Sequence, residues 1–299
     1  MKNPTSRRNM MKTLVAGSAI AVVSDSMAAR FGAADKMLEN QQMKGRINHS
    51  TCRWCYDSIP LDELCVAAKR IGLQSIELLT PEEFDVVKKH DLTCGMVSSL
   101  NKDWGITKGW NKREHHGPLE EYYTYLIDKT AAAGFKNLIC FSGNREAKLS
   151  DEEGLKNCSK GLRKIMKYAE KKKVTLVMEL LNSKIDHKDY MCDHTNWGVE
   201  LCKSIDSDNF KLLYDIYHMQ IMEGDVIRTI RDNNKYIAHY HTGGVPGRHE
   251  IDETQELYYP AIMSAIAETG FKGFVAQEFI PVRADKLASL KQGVTICDI

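Results

Sequence analysis

The stretch FKLLYDIYHMQIMEGD, residues 210 to 225, opens with a short apolar run that carries Asp215 at its end. Similar apolar runs recur along the chain, and between them lie segments whose apolar residues are spaced three and four apart, as in helices. Continuous apolar runs are typical of parallel strands that helices cover on both faces. Because a charge at the end of a buried strand is unfavourable unless something pairs with it, Asp215 also indicates a functional site.

Eight such runs alternate with helix-like segments within about 240 residues. Strict alternation favours a parallel α/β fold, and the eightfold count favours a (β/α)8 TIM barrel over an open doubly wound sheet. No GxGxxG motif follows the first run, which argues against a dinucleotide-binding fold. We expect one catalytic barrel domain over residues 45–299. The runs lie at residues 47–51, 74–79, 92–99, 136–143, 174–182, 210–217, 236–242 and 273–279.

The composition is that of an ordinary globular protein. The chain has 299 residues, of which 43% are hydrophobic and 27% charged, with a formal net charge of +1. This balance argues against a dedicated nucleic-acid-binding protein. The nine cysteines are scattered and do not predict a disulfide framework. Cys52 and Cys55 form a CxxC pair without a second such pair, which argues against a zinc ribbon and leaves a redox or metal role open.

The N-terminus has the three-part pattern of an export signal. Arg7 and Arg8 precede an apolar stretch from about residue 10 to residue 23, and small residues follow it. The Ser-Arg-Arg order resembles a twin-arginine signal, which exports folded proteins. Residues 1–34 are therefore predicted to form a signal peptide and the start of a linker. The mature protein would then be periplasmic, without stable membrane insertion. The alternatives are an uncleaved membrane anchor and a basic start that has no targeting role.

The last four strand-like runs each end in an acidic or imidazole side chain. In a barrel of this kind the carboxyl ends of the strands form the active-site face. Alone, each acid would be interpreted as a helix cap or ion pair, but three converging carboxylates repel one another and a divalent cation would offset that repulsion. Such an oxygen-rich set suits Mn²⁺ or Mg²⁺, with Co²⁺ or Zn²⁺ as alternatives. The predicted ligands are Glu179, Asp215, His241 and Glu278.

Two further side chains are predicted to bind the substrate. His218 follows the sixth run and lies in the loop region above the predicted metal, although a solvent-exposed histidine is the alternative. Arg248 follows the glycine-rich segment 243–247, and its planar guanidinium could hold a carboxylate or hydroxyl groups. His239 lies two residues before His241, deeper in the strand, and is interpreted as a packed, hydrogen-bonded core histidine.

The barrel with these four strand-end residues resembles the xylose isomerase-like sugar isomerase/epimerase superfamily. Within it, YDIYHMQIMEGD and GGVPGRHEIDETQELYYP are similar to segments of the hydroxypyruvate isomerases. The resemblance extends over nearly the whole chain after about residue 45 and is strongest between residues 174 and 281. It implies a small hydroxy-keto acid or sugar as substrate, a bound divalent metal, and a homo-oligomer.

The resemblance also implies a mechanism. The metal holds adjacent carbonyl and hydroxyl oxygens, and Glu179 and Glu278, besides being ligands, move a proton through a cis-enediolate. Hydroxypyruvate would give tartronate semialdehyde, with Arg248 on the carboxylate. One departure is His241, where hydroxypyruvate isomerases commonly have Gln and ketose epimerases have His. The alternatives are therefore a ketose 3-epimerase or a dehydratase of the same superfamily, a binding protein without turnover, and a metal-dependent nuclease.

Overall fold

The computed structural model describes residues 43–299, which contain seven regular strands and nine α-helices. The strands are β1 (Asn48–Cys52), β2 (Ser75–Glu77), β3 (Asn137–Cys140), β4 (Thr175–Leu180), β5 (Phe210–Asp215), β6 (Ile237–Thr242) and β7 (Phe274–Gln277). The helices are α1 (Leu61–Ile71), α2 (Phe84–Lys89), α3 (His116–Ala133), α4 (Asp151–Lys172), α5 (Thr195–Ile205), α6 (Ile216–Met222), α7 (Val226–Asn233), α8 (Tyr259–Glu268) and α9 (Lys286–Cys297).

All seven strands are parallel, and they pair in the order β2-β1-β7-β6-β5-β4-β3. The predicted third run, residues 92–99, lies between the two ends of this sheet. Its Val97 makes parallel bridges to Leu79, just past β2, and to Leu138 in β3. These bridges close the sheet, and the predicted (β/α)8 barrel is confirmed. Its third position is occupied by a segment that makes isolated bridges and is not a regular strand.

Side chains of the neighbouring strands explain this irregular third position. Ser75 Oγ accepts a hydrogen bond from the backbone N–H of Gly95 at 2.7 Å, and Asn137 Nδ2 donates to the Gly95 carbonyl at 2.9 Å. Both backbone groups of Gly95 are therefore satisfied without a strand ladder. The segment keeps its place in the barrel while its backbone departs from regular pairing.

The outer helices follow ordinary capping rules. The long helix α4 begins after Ser150, whose side chain accepts a hydrogen bond from the backbone N–H of Glu153 at 3.2 Å. Acidic residues occupy its first turn and lysines its last, as the helix dipole favours. Left-handed residues end several of the helices, among them Gly72 after α1 and Gly134 after α3.

The strands are buried almost throughout their length, as the apolar runs predict. In β4 every residue from Leu176 to Leu180 is buried, and β5 is buried apart from Lys211. Long buried runs of this kind are typical of parallel strands that are covered on both faces. Because the strands are parallel, their carboxyl ends meet at one face, and the polar residues carried there lie close together.

Two further predictions concern the N-terminus and the cysteines. The predicted export signal, residues 1–34, lies outside the described residues and stays a prediction. Between residues 43 and 299, no helix combines the length and apolarity that crossing a membrane requires.

All nine cysteines lie in this part of the chain as buried free thiols, so Cys52 and Cys55 are not bonded to each other.

Candidate active site

The four predicted ligands meet at the carboxyl ends of four neighbouring strands. Glu179 is near the end of β4, Asp215 ends β5, and His241 is paired with Asp215 from β6. Glu278 comes directly after β7, and its backbone N–H donates to the Thr242 carbonyl at 3.0 Å. One potential ligand atom from each of the four residues lies within 4.8 Å of the others, and all four residues are buried. The barrel thus concentrates three carboxylates and one imidazole in one small volume.

The surroundings shift the pKa values of the three carboxylates in different directions. Burial raises the pKa of Asp215 to about 7, although the nearby Arg248 opposes the shift. Burial also raises the pKa of Glu179. For Glu278 burial has the same sign, but Arg248 and His241 outweigh it and hold the pKa well below its ordinary value. Of the three carboxylates, Glu278 therefore stays ionised most readily, because cationic groups lie against it.

His241 is oriented as a metal-binding histidine would be. Its Nδ1 lies 2.6 Å from Glu278 Oε2 and 3.4 Å from Glu179 Oε1, yet it makes no hydrogen bond of acceptable geometry to any described residue. Its Nε2 lies 2.8 Å from Glu77 Oε1. Burial lowers the pKa of His241, but the neighbouring acids outweigh burial and raise it well above its ordinary value. A divalent cation would take the place of the proton on Nδ1, while the proton on Nε2 stays in the hydrogen bond to Glu77. The unpartnered Nδ1 and the oxygen-rich surroundings fit a divalent cation.

Glu77, at the end of β2, is a site residue that the sequence analysis missed. It is fully buried, and its Oε1 also lies 2.7 Å from His239 Nε2. Burial raises its pKa, but the two histidines outweigh burial and lower the pKa to about 2. His239 is fully buried and paired, as expected of a packed core histidine. The signal that could have found Glu77 was an acid within a short apolar run.

Arg248 contacts the cluster directly. Its Nη2 lies 3.1 Å from Asp215 Oδ2 and 2.5 Å from Glu278 Oε2. The guanidinium carbon lies 5.3 Å from the ring centroid of Trp54 and 5.5 Å from that of Tyr217, so two aromatic rings flank it. Burial lowers its pKa, but the neighbouring acids outweigh burial and raise it. Its buried Nε has no hydrogen-bond partner between residues 43 and 299 and is a donor that a bound molecule could satisfy.

His218 is fully buried, so the alternative of a solvent-exposed histidine is wrong. Its backbone N–H donates to Asp215 Oδ1 at 3.0 Å, where that carboxylate caps α6. Its Nδ1 lies 2.7 Å from Asn182 Nδ2; since the amide nitrogen donates, Nδ1 accepts and the ring proton is on Nε2. Burial lowers the pKa of His218 well below its ordinary value. The neutral ring presents an Nε2–H, unpartnered within the described chain, 3.6 Å from Asp215 Oδ2.

Trp54 is a second residue that the sequence analysis missed. It lies just past β1 in the segment TCRWCYD, and its Nε1 donates to Glu278 Oε1 at 2.8 Å. Nearby, Cys52 Sγ lies 3.8 Å from His241 Nε2 and 3.9 Å from Glu77 Oε1. Burial raises the pKa of the Cys52 thiol, which keeps it protonated. The end of the first strand therefore contributes two contacts to the cluster.

A cavity of about 460 Å³ opens beside the cluster. Glu179, Glu278 and Arg248 line one part of it, and Trp54 and His187 contribute to the same lining. Two predicted acid/base residues and one predicted substrate-binding residue are thus accessible to a small molecule.

Comparison with known proteins identifies relatives of this barrel. A family model described as xylose isomerase-like TIM barrel matches residues 65–294. Over 117 residues the chain is 35% identical to a 2-oxo-tetronate isomerase from Cupriavidus necator; the match covers 39% of this chain and 44% of that relative, so the chain spans less than half of the relative's length. Over 225 residues it is 26% identical to the hydroxypyruvate isomerase of Escherichia coli, covering 72% of this chain and 85% of that one.

A solved structure shows the same fold. The chain is similar to a crystal structure described as AP endonuclease, family 2, from Brucella melitensis, with a TM-score of 0.75 and 23% sequence identity. The match covers 83% of this chain and 98% of that one. At this level of identity the likeness supports the barrel architecture alone.

Proposed function

Because the chain belongs to the xylose isomerase-like TIM barrel family, we propose that it is an isomerase that interconverts an α-hydroxy ketone and an aldehyde. The substrate that we favour is hydroxypyruvate, with tartronate semialdehyde as product. The observation that carries the proposal is the convergence of Glu179 and Glu278 on one cavity, with His241 close to both. The names of the matched relatives support the reaction class.

The donor set fits a divalent cation, and Glu179, Asp215, His241 and Glu278 would hold it. When bound, Mn²⁺ or Mg²⁺ would polarise the carbonyl and hydroxyl oxygens of the substrate and offset the charge of an enediolate. Three buried carboxylates around one imidazole are the feature that a cation would stabilise. Glu77 would keep the His241 ring in the orientation that this role needs.

The proton transfer is assigned to the two glutamates that line the cavity. One of them removes a proton from the carbon that bears the hydroxyl group, and a carboxyl group returns a proton to the neighbouring carbon. Arg248 contributes a buried Nε donor, unpartnered within the described chain, that suits a substrate carboxylate or hydroxyl. His218 contributes its Nε2–H beside Asp215, where it would hold an oxygen of the substrate.

The direct test is proton exchange with solvent. The protein without its first 34 residues, loaded with Mn²⁺ in D₂O, is expected to introduce deuterium beside the carbonyl of hydroxypyruvate and to form the semialdehyde, as proton NMR would show. Glu278→Gln should lower this exchange by about 10²-fold or more, and Glu82→Gln, on the surface, serves as control. Undiminished exchange in Glu278→Gln would remove Glu278 from the acid/base role.

A ketose 3-epimerase is the second candidate, and His241 favours it because ketose epimerases carry His at this position. An epimerase would use the same two glutamates on opposite faces of one carbon. Deuterium that enters only at C3 of a ketose, with no aldehyde product, would support this reaction and contradict the first candidate.

A further inference from the structure

The cavity beside the acidic cluster has two chemically different parts. The polar part contains Glu179, Glu278, Arg248 and His187, and the Trp54 ring lies over the Arg248 guanidinium. The remaining wall is mainly hydrocarbon, with Thr80 and Ser98 as minor polar contributors. The apolar side chains are Leu78, Leu100, Ile106, Ile139, Phe141 and Leu181.

The apolar wall belongs to the barrel and to its connecting loops. Ile139 in β3, Phe141 directly after it and Leu181 after β4 are almost fully buried. Leu100 and Ile106 come from the loop after the third barrel position, and Leu100 is 45% exposed. A mainly hydrocarbon lining with a few convergent polar groups is typical of a pocket that binds a small molecule through an apolar part.

Leu78 lines the same cavity from a strained backbone conformation. It follows β2 with a φ of 57°, in the left-handed region that leucine rarely adopts. Strain of this kind is concentrated at functional sites. Its neighbour Glu77 contacts the buried histidines, whereas Leu78 lines the cavity. The two adjacent residues Glu77 and Leu78 thus contact the polar cluster and the apolar wall, respectively.

The cavity is larger than a three-carbon substrate needs. Hydroxypyruvate has only a handful of non-hydrogen atoms, and a water-sized group occupies about 30 Å³ in a liquid. Such a molecule leaves roughly half or more of the 460 Å³ unfilled. If its oxygens lie at the cluster, the unfilled part is the apolar one, where contact between hydrocarbon and water is unfavourable.

We propose that, besides hydroxypyruvate, the site takes a larger α-hydroxy ketone, free or within a sugar, and that an aryl or alkyl substituent of this compound lies against the apolar wall. Hydroxypyruvate would fill only the polar part of the cavity, and a larger compound of the same class would fill the apolar part as well. The hydroxy-ketone half of this inference rests on the proposed function. The apolar half rests on the cavity lining alone. Each added methylene group should improve binding by roughly threefold to tenfold until the wall is covered.

The test is a series of compounds that share one reacting group. Hydroxyacetone, 1-hydroxy-2-pentanone and 1-hydroxy-4-phenyl-2-butanone are titrated calorimetrically into the Mn²⁺-loaded protein. The dissociation constant is expected to fall by about tenfold or more from the methyl to the propyl compound, and to fall further from the propyl to the phenylethyl compound. Equal dissociation constants across the series would overturn the inference.

Variants in the loop that carries Leu100 and Ile106 test whether the preference for larger compounds arises at the apolar wall. Leu100→Gln combined with Ile106→Gln should remove most of the preference for the phenylethyl compound, because polar side chains replace hydrocarbon at both positions. Val282→Gln is the matched control, since Val282 is 65% exposed and is not among the described residues that line the cavity. An unchanged preference in the double variant, with the fold intact by circular dichroism, would overturn the assignment to this wall.

Binding and exchange separate this inference from the proposed function. Tighter binding of the phenylethyl compound without any deuterium exchange would support the apolar subsite and contradict the isomerase. Deuterium exchange without any preference among the three compounds would support the isomerase and overturn the subsite.

Discussion

Glu77 holds two histidine rings through a single oxygen, because His239 Nε2 lies 2.7 Å and His241 Nε2 lies 2.8 Å from its Oε1. A carboxylate behind a ligating histidine fixes the tautomer and the orientation of the ring. Glutamine keeps the shape of this side chain but removes the charge that strengthens both hydrogen bonds. Replacing Glu77 therefore tests whether its hydrogen bond to His241 matters for metal binding, without changing any predicted ligand.

We expect Glu77→Gln to weaken Mn²⁺ binding by about 10- to 100-fold, the loss that is usual when such a supporting group is replaced. Calorimetric titration of the metal-free protein measures the affinity. Glu82→Gln removes a surface carboxylate and should leave the affinity unchanged. Equal affinities in both variants would show that Glu77 does not support the metal site.

Asp193 predicts a dependence of stability on pH. It accepts hydrogen bonds from Arg145 at 2.9 Å, from Ser183 at 2.5 Å and from His194 at 2.8 Å. Burial raises its pKa, but these partners outweigh burial and lower the pKa below the ordinary value. Because the folded pKa is the lower one, the stabilisation is present above the unfolded pKa of about 4 and is lost as the pH falls through the folded pKa.

Asp193→Asn should therefore lower the free energy of unfolding by about 1–3 kcal/mol at pH 7, and by less at pH 3. Urea unfolding at the two pH values measures both numbers. The control is Asp208→Asn, since the Asp208 side chain is fully exposed. A loss that is the same at pH 3 and pH 7 would contradict the assigned pKa shift.

At the level of single residues, the sequence predicted the four members of the cluster, but it did not predict the residues that hydrogen-bond to them. The four strand-end residues follow from the rule that parallel strands expose their carboxyl ends on one face. Glu77 and Trp54 could not be predicted in the same way. Glu77 depends on which strands become neighbours in three dimensions, and the role of Trp54 depends on the path of the loop after β1.

At the scale of elements, the loop after β6 holds Arg248 against the cluster. The backbone N–H of Gly244 donates to the His249 carbonyl at 2.9 Å. A Cβ atom added at Gly244 would overlap the backbone oxygen of Glu250. Backbone atoms cannot rotate aside as the end of a side chain can, so a larger residue must displace the loop.

Gly244→Ala should lower the rate of deuterium exchange by about 10- to 100-fold, because an ångström-scale displacement of a positioning group has effects of this size. Gly117→Ala is the matched control. Apart from its chain neighbours and the nearby backbone of its own helix, no described atom lies within 4 Å of its added Cβ, and the variant should keep full activity. The NMR exchange assay measures both. Full activity in Gly244→Ala would show that the loop tolerates the displacement.

The sequence predicts the order of strands and helices along the chain more reliably than it predicts whether each strand pairs regularly with its neighbours. Alternating apolar and amphipathic segments predicted eight barrel positions, and every predicted run lies in the barrel. The run at residues 92–99 was predicted as a strand like the others. Its departure from regular pairing depends on Ser75 and Asn137, whose side chains bind the Gly95 backbone, and these long-range contacts are not visible in a local pattern.

At the scale of the whole molecule, three buried carboxylates at one end of the barrel would couple the binding of the proposed metal to folding. A ligand that binds only the folded protein at about 100 times its dissociation constant stabilises it by about 2.7 kcal/mol. For a domain of this size, that corresponds to a shift in melting temperature of roughly 5–10 °C.

We therefore expect removal of Mn²⁺ with a chelator to lower the melting temperature by roughly 5–10 °C. Calorimetric scans with and without the chelator measure the change. In an Asp215→Asn variant, which lacks one predicted ligand, the chelator should have a smaller effect. A melting temperature that does not respond to Mn²⁺ or to the chelator would contradict a coupling between the metal and the stability of the barrel.

The position of Trp54 gives the protein a built-in optical reporter. Its indole N–H donates to Glu278, and the ring lies against the guanidinium of Arg248. Indole emission responds to nearby charge, so an event that changes the charge or position of either partner changes the fluorescence of Trp54. The difference in emission between the wild-type protein and Trp54→Phe therefore isolates a signal from the site itself, and stopped-flow mixing can follow ligand arrival in real time without any label.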